Sequence, residues 1–121
     1  TKELKEQKLV TNFISNKLNN IANDLEIDKT ETIIAGNLLH LRTKVAGKLK
    51  SKNSKLKTLI KALHPTPAVC GLPRNLAKDF INQNENYNRE FYTGFLGELN
   101  LESFKHKVKK SNLFVNLRCM K

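Results

Sequence analysis

Apolar residues at the start of the chain recur with a helical step. Leu4, Val10, Phe13, Ile14, Leu18 and Ile21 follow one another at steps of six, three, one, four and three residues. This predicts an amphipathic helix over residues 2–23 with one face packed. Residues 25–27 and 32–34 are short and β-compatible, and residues 37–49 place Leu39, Leu41, Thr43 and Val45 on alternate positions. That alternation predicts a long strand whose opposite face carries His40, Arg42 and Lys44. After a Lys/Ser/Asn loop at 51–54, Leu56, Leu59, Ile60 and Leu63 restore a helical period that stops before Pro65. Pro65, Pro67, Gly71 and Pro73 oppose regular structure, and Pro73 suits the first position of a further helix with Leu76, Ala77, Phe80 and Ile81 inward. Beyond an Asn-rich loop, residues 91–99, 104–109 and 113–120 read as three strands of an antiparallel meander. The element order predicts an α+β fold rather than a doubly wound α/β sheet.

A chain of 121 residues with 39% apolar residues and no tryptophan makes one modest domain, or part of a larger one. Its 22 basic and 11 acidic side chains leave a net charge of +11, enough to attract polyanions. Nucleic-acid binding is therefore weighed below. One basic stretch runs from Arg42 to Lys61 and another from Lys105 to Lys110, while carboxylates concentrate at 3–6, 24–31 and 79–102. Cys70 and Cys119 form neither a metal-ligand spacing nor a disulfide framework, so reduced thiols and a cytoplasmic location are expected. No apolar run approaches the roughly 20 residues of a membrane span. Thr1 opens directly into a charged segment, which predicts no signal peptide and a processed, truncated or excised chain.

The run from Leu63 to Gly97 is the expected functional centre, and a small organic acid its expected ligand. Three prolines stiffen the segment 63–73, while Ala68 and Gly71 let backbone approach a ligand. The following helix start offers free N–H groups to a carboxylate. A rigid helix-to-helix turn is the simpler reading of the same residues. Gly94 and Gly97 mark a bulge or a close approach in the next segment. Arg118 stands between Leu117 and Cys119 in an expected strand, where its planar fork suits a carboxylate unless that face is open to water. His40 reads as a ligand-facing or a satisfied sheet histidine. Glu3 and Glu6 read as surface pairing with neighbouring lysines, unless an oxygen-ligand metal such as Mg²⁺ is present to use Glu6.

Taken in order, these segments resemble the chorismate-utilising enzymes. His64-Pro65-Thr66-Pro67-Ala68 is similar to the family's His-Pro-Thr-Pro-Ala signature, typical of the isochorismate synthase type. Residues 89–97 resemble its Arg-x-x-Tyr-x-Gly-x-x-Gly element, and Leu117-Arg118 its later Ile/Leu-Arg strand. His40-Leu41-Arg42-Thr43 resembles its His-Leu-x-Ser/Thr strand, and residues 2–10 its Lys-Asp-x-x-Glu-His-x-Leu-Val helix, with Gln7 in place of His and Cys70 in place of Gly or Ser.

The resemblance implies an α+β fold of antiparallel sheets with helices outside, and chorismate as substrate. It makes Glu6 a ligand of Mg²⁺, gives Arg118 and Tyr92 the enolpyruvyl carboxylate, sets His40 near the departing hydroxyl, and makes Ala68 and Gly71 part of the pocket lining. It also implies that residues 1–121 are the C-terminal half of a catalytic domain, completed by the rest of that domain. The general acid and base would lie upstream and further metal ligands downstream, so the segment alone is expected to be inactive. The parent enzyme would convert chorismate to isochorismate for menaquinone or siderophore biosynthesis, with no nucleic-acid or membrane partner. Two alternatives stand beside it: an anthranilate- or salicylate-synthase-type relative, and a small basic nucleic-acid-binding module using residues 42–61. Against the module, no aromatics interleave its lysines.

Overall fold

The computed structural model describes residues 1–50, 56–102 and 107–117. The chain divides into two compact units, residues 1–81 and 82–121.

The first unit is organised around helix α1 (Lys2–Asn19). Val10, Phe13, Ile14 and Leu18 are half-buried along it, as their spacing requires, while Leu4 and Leu9 stay exposed. The helix ends four residues before the limit expected from periodicity, and Ile21 N–H closes it by donating to Leu18 O. Strand β1 (Ala22–Ile27) begins at once. It pairs antiparallel with β4 (Val45–Leu49), and β2 (Glu31–Ala35) pairs antiparallel with β3 (Leu38–Arg42).

These four strands amount to one long hairpin with a corner. Ile27 pairs with Val45, and Glu31 with Arg42, so Asp28, Lys29 and Thr30 oppose only Thr43 and Lys44. One surplus residue on the first arm bends the ladder. The single strand expected over 37–49 is therefore two, split at Thr43 and Lys44. A second irregularity lies between Asn23 and Glu26, where Asp24 has φ 51°. Gly47 lies across from it: a Cβ there would stand 3.1 Å from Leu25 Cδ1 and 3.3 Å from Asn23 O.

Helix α2 (Leu56–Leu63) stops before Pro65 as expected. The following segment is not wholly irregular, because Pro67 opens a single helical turn, α3 (Pro67–Cys70). The peptide bonds preceding Pro65 and Pro73 are cis. Helix α4 (Arg74–Asn84) starts one residue after Pro73, with Ala77 N–H bonded to Pro73 O. Its inner face differs from the expected one: Ala77 and Ile81 are half-buried, whereas Leu76 and Phe80 are 68% and 65% exposed. Arg74 fastens the helix start, donating from Nη1 to Ala62 O at the end of α2 and lying 5.4 Å from the Phe13 ring centre. Among the described residues only Ala22 is buried.

The second unit contains the antiparallel hairpin β5 (Phe95–Glu102) and β6 (Lys109–Val115). Residues 91–93, expected to begin the strand, form a turn instead, with Glu90 at φ 50° and Thr93 at φ 62°. The separate strands expected at 104–109 and 113–120 are not found among the described residues: 107 and 108 are outside any strand, and β6 runs unbroken from Lys109 to Val115, while 104–106 and 118–120 lie outside the described residues. Leu96 opposes Phe114, and Phe95 opposes Val115. Gly97, with φ 149°, lets β5 approach β6 so closely that a Cβ would fall 1.9 Å from Asn112 O.

Candidate functional site

Glu6 and Gln7 are neighbours on α1 with different surroundings. Gln7 is half-buried, and its Nε2 donates to Thr43 Oγ1 at 3.1 Å. Thr43 Oγ1 also hydrogen-bonds Thr30 Oγ1 at 2.8 Å. The helix is thereby tied to the hairpin corner, one residue beyond β3. Glu6 is exposed, and Lys2 approaches its Oε1 only to 3.8 Å, a loose surface pair. His40 is half-buried on β3 opposite Ile33. Arg42, on the same face by alternation, is held by Glu31: its Nε donates to Oε1 at 2.9 Å, and Nη2 lies 2.8 Å from the same oxygen.

The proline segment owes its shape to α3. Thr66 is its extended N-cap, Val69 and Cys70 donate backbone N–H groups to Thr66 O, and Gly71 N–H donates to Pro67 O at 2.8 Å. Gly71 then turns at φ 100°. A Cβ there would meet Ala77 Cβ at an ordinary 3.5 Å, so backbone conformation rather than space calls for glycine. Ala68 is exposed, and the Cys70 thiol lies 3.4 Å from Thr66 O. α1 packs against α3, β3, α2 and both strands of the β1–β4 pair. The elements bearing Glu6, His40, Ala68 and Gly71 thus meet around one helix.

In the second unit, Arg89 organises the turn that carries Tyr92. Its Nε and Nη2 engage the two Glu85 carboxylate oxygens, its Nη1 donates to Thr93 Oγ1 at 3.2 Å, and its guanidinium lies 5.9 Å from the Tyr92 ring centre. The hydrogen bond from Arg89 holds the Glu85 carboxyl below the usual carboxylate range, and Glu85 in turn raises Arg89. Tyr92 is 40% exposed. Asn116 grips the same turn from the other side: its backbone pairs with Thr93 N–H and Gly94 O, and its Nδ2 donates to Phe91 O at 2.9 Å. Arg118 lies outside the described residues.

Among the described residues, no three His, Cys, Asp or Glu side chains gather as a metal cluster. The open carboxylate of Glu6 still fits Mg²⁺ in the manner common for that ion, with one carboxylate supplemented by water and substrate oxygens. Several members of the basic stretch have intramolecular partners. Besides the Arg42–Glu31 pair, Lys48 lies 3.3 Å from Asp24, and Lys50 Nζ donates to Asn19 O at 2.8 Å. Lys52 and Lys55 lie outside the described residues. The Glu85–Arg89 pair, absent from the sequence reading, joins two residues of the loop after α4, so helical spacing gave no signal for it. The roles of Gln7 and Asn116 depend on distant partners and had none.

Comparison with known proteins follows the same lines. The family model described as chorismate binding enzyme matches residues 1–119. A putative isochorismate synthase of Aeromonas hydrophila is 35% identical over 97 residues, 79% of this chain and 24% of that protein. The isochorismate synthase EntC of Escherichia coli K12 is 32% identical over 121 residues, 99% of this chain and 29% of that protein. Among solved structures, the menaquinone-specific isochorismate synthase MenF of Escherichia coli superposes with a TM-score of 0.80 at 30% identity, covering 95% of this chain and 25% of that one. The chain therefore spans about a quarter of the length of these relatives. With the match running over residues 1–119 and the α+β fold shared with MenF, the chain belongs to the chorismate-binding enzyme family.

Proposed function

We propose that residues 1–121 form the C-terminal half of the chorismate-binding catalytic domain of an isochorismate synthase. The observation that carries this reading is the packing of the His40 strand and the Ala68–Gly71 turn against α1, the helix that bears Glu6, in a chain whose similar proteins bear that enzyme's name. In the reaction, water attacks one ring carbon of chorismate while the hydroxyl on another departs, so substrate and product are isomers. Glu6 would hold Mg²⁺, which supplies a Lewis acid for the ring carboxylate. Arg118 binds the enolpyruvyl carboxylate as a planar fork, with Tyr92 adding a hydroxyl. His40 faces the ring near the departing hydroxyl, and Ala68 and Gly71 keep the backbone of the proline turn close to the substrate. The general acid and base come from the remainder of the domain. The product feeds menaquinone or siderophore synthesis, and the enzyme acts in the cytoplasm without nucleic acid.

The test is turnover of chorismate by the full-length enzyme with Mg²⁺, with product identified by chromatography. Isochorismate is the expected product; anthranilate, salicylate or no turnover would overturn the reading. Glu6→Gln should lower Mg²⁺-dependent kcat/KM by about 100-fold or more, since loss of outer-shell partners alone costs 10- to 100-fold. Unchanged activity would remove Glu6 from the site.

A further inference from the structure

We propose that Asn116 is a positioning residue that clamps the turn presenting Tyr92 against the end of β6. The clamp stands on the geometry of the second unit; its effect on substrate rests on the chorismate reading above. The turn needs restraint, because Glu90 at φ 50° and Thr93 at φ 62° occupy a region that side-chain-bearing residues hold only when their surroundings impose it.

Restraint comes from two directions. Arg89, itself gripped by Glu85, donates to Thr93 Oγ1 and lies against the Tyr92 ring. Asn116 in addition makes three hydrogen bonds to the turn. Its carbonyl accepts from Thr93 N–H at 2.8 Å, its own N–H donates to Gly94 O at 2.9 Å, and its Nδ2 donates to Phe91 O at 2.9 Å. The first two are backbone bonds that any residue here could make. The third requires a short side chain ending in a donor, which is what asparagine supplies. Phe91 O also accepts from Gly94 N–H at 3.1 Å, so one carbonyl closes the turn on itself and latches it to the strand.

Tyr92 sits inside the clamped turn. It is assigned to a substrate carboxylate, and a phenol presented by a turn reaches that group only within a narrow range of positions. Asn116 is bonded to residues 91, 93 and 94, and it acts through the Tyr92 that they enclose.

The test compares Asn116→Ala with Asn116→Asp, which keeps the shape but replaces the donor by an acceptor. In the full-length enzyme both should raise KM for chorismate about tenfold, the effect of one lost hydrogen bond, with kcat within about twofold of wild type. A fall in kcat at unchanged KM in both variants would mean only a reduced folded fraction and would overturn the proposal. In the full-length enzyme, amide exchange at Thr93 and Gly94 should accelerate in both variants. Unchanged exchange would overturn the clamp whatever the substrate. Should the wild-type enzyme fail to turn over chorismate, the functional reading falls, and the exchange measurement still decides the clamp.

Discussion

Arg89 divides its guanidinium among a carboxylate, a hydroxyl and an aromatic ring, and that division makes the Tyr92 turn sensitive to acid. Glu85 has a depressed pKa in the folded state. Its stabilising contribution is therefore complete above its unfolded value, about 4.3, and is lost as pH falls through the lower folded value. An NMR titration should show the Glu85 side chain and the Thr93 amide changing together, with a midpoint below the ordinary glutamate value. Arg89→Gln should return that midpoint upward; a wild-type midpoint at the ordinary value would contradict the pairing. Other residue-level features were readable directly. Alternation set His40 and Arg42 on one face, and lysines around Glu6 announced an exposed helix position. Tyr92 was misread as strand, because its apolar neighbours Phe91 and Phe95 alternate no worse than a strand's would. What decides the matter is the pair of left-handed residues flanking it, and neither Glu90 nor Thr93 betrays that conformation locally.

Elements followed the periodicity wherever one face dominates. α1 and α2 appeared near their expected places because helical spacing and a following proline act within a few residues. α3 escaped notice because proline, read as a breaker, also opens helices. The corner at Thr43 was invisible because it arises from a mismatch in residue number between two arms, a quantity that no single strand carries. Gly97 offers the sharpest element-level test. Alanine there must find room where Asn112 O stands 1.9 Å from the new Cβ. Gly97→Ala should destabilise the β5–β6 pairing by about 1–3 kcal/mol, the usual range for overpacking. Urea unfolding followed by circular dichroism would measure it, and an unchanged midpoint would contradict the close approach.

At the scale of the whole molecule, burial and chain length point the same way. Ala22 alone is buried among the described residues, while Ile34 is 77% and Phe91 83% exposed. Surfaces of that kind ordinarily meet other protein. They agree with a chain that spans about a quarter of the length of its relatives. The isolated chain should bind the dye ANS strongly, and, on the proposed domain reading, the signal should fall when the separately produced remainder of that domain is added. A dark, dye-free isolated chain would mean that these apolar faces are already covered. The fold class was legible from element order and the modest core from composition, whereas which apolar faces stay open among the described residues was not, because amphipathic spacing tells which face wants a partner but not whether that partner lies within reach.

The three-against-two corner has a consequence for tolerance to change. It works like a mitre joint in a frame: one surplus residue on the first arm sets the angle, and Gln7 pins the joint to the helix through Thr43. Adding one residue between Thr43 and Lys44 would equalise the arms, straighten the ladder and draw Thr43 off its pin. Length, and not only chemistry, is thus under constraint at this point, and drift in loop size should be accommodated at the Gly36 tip instead.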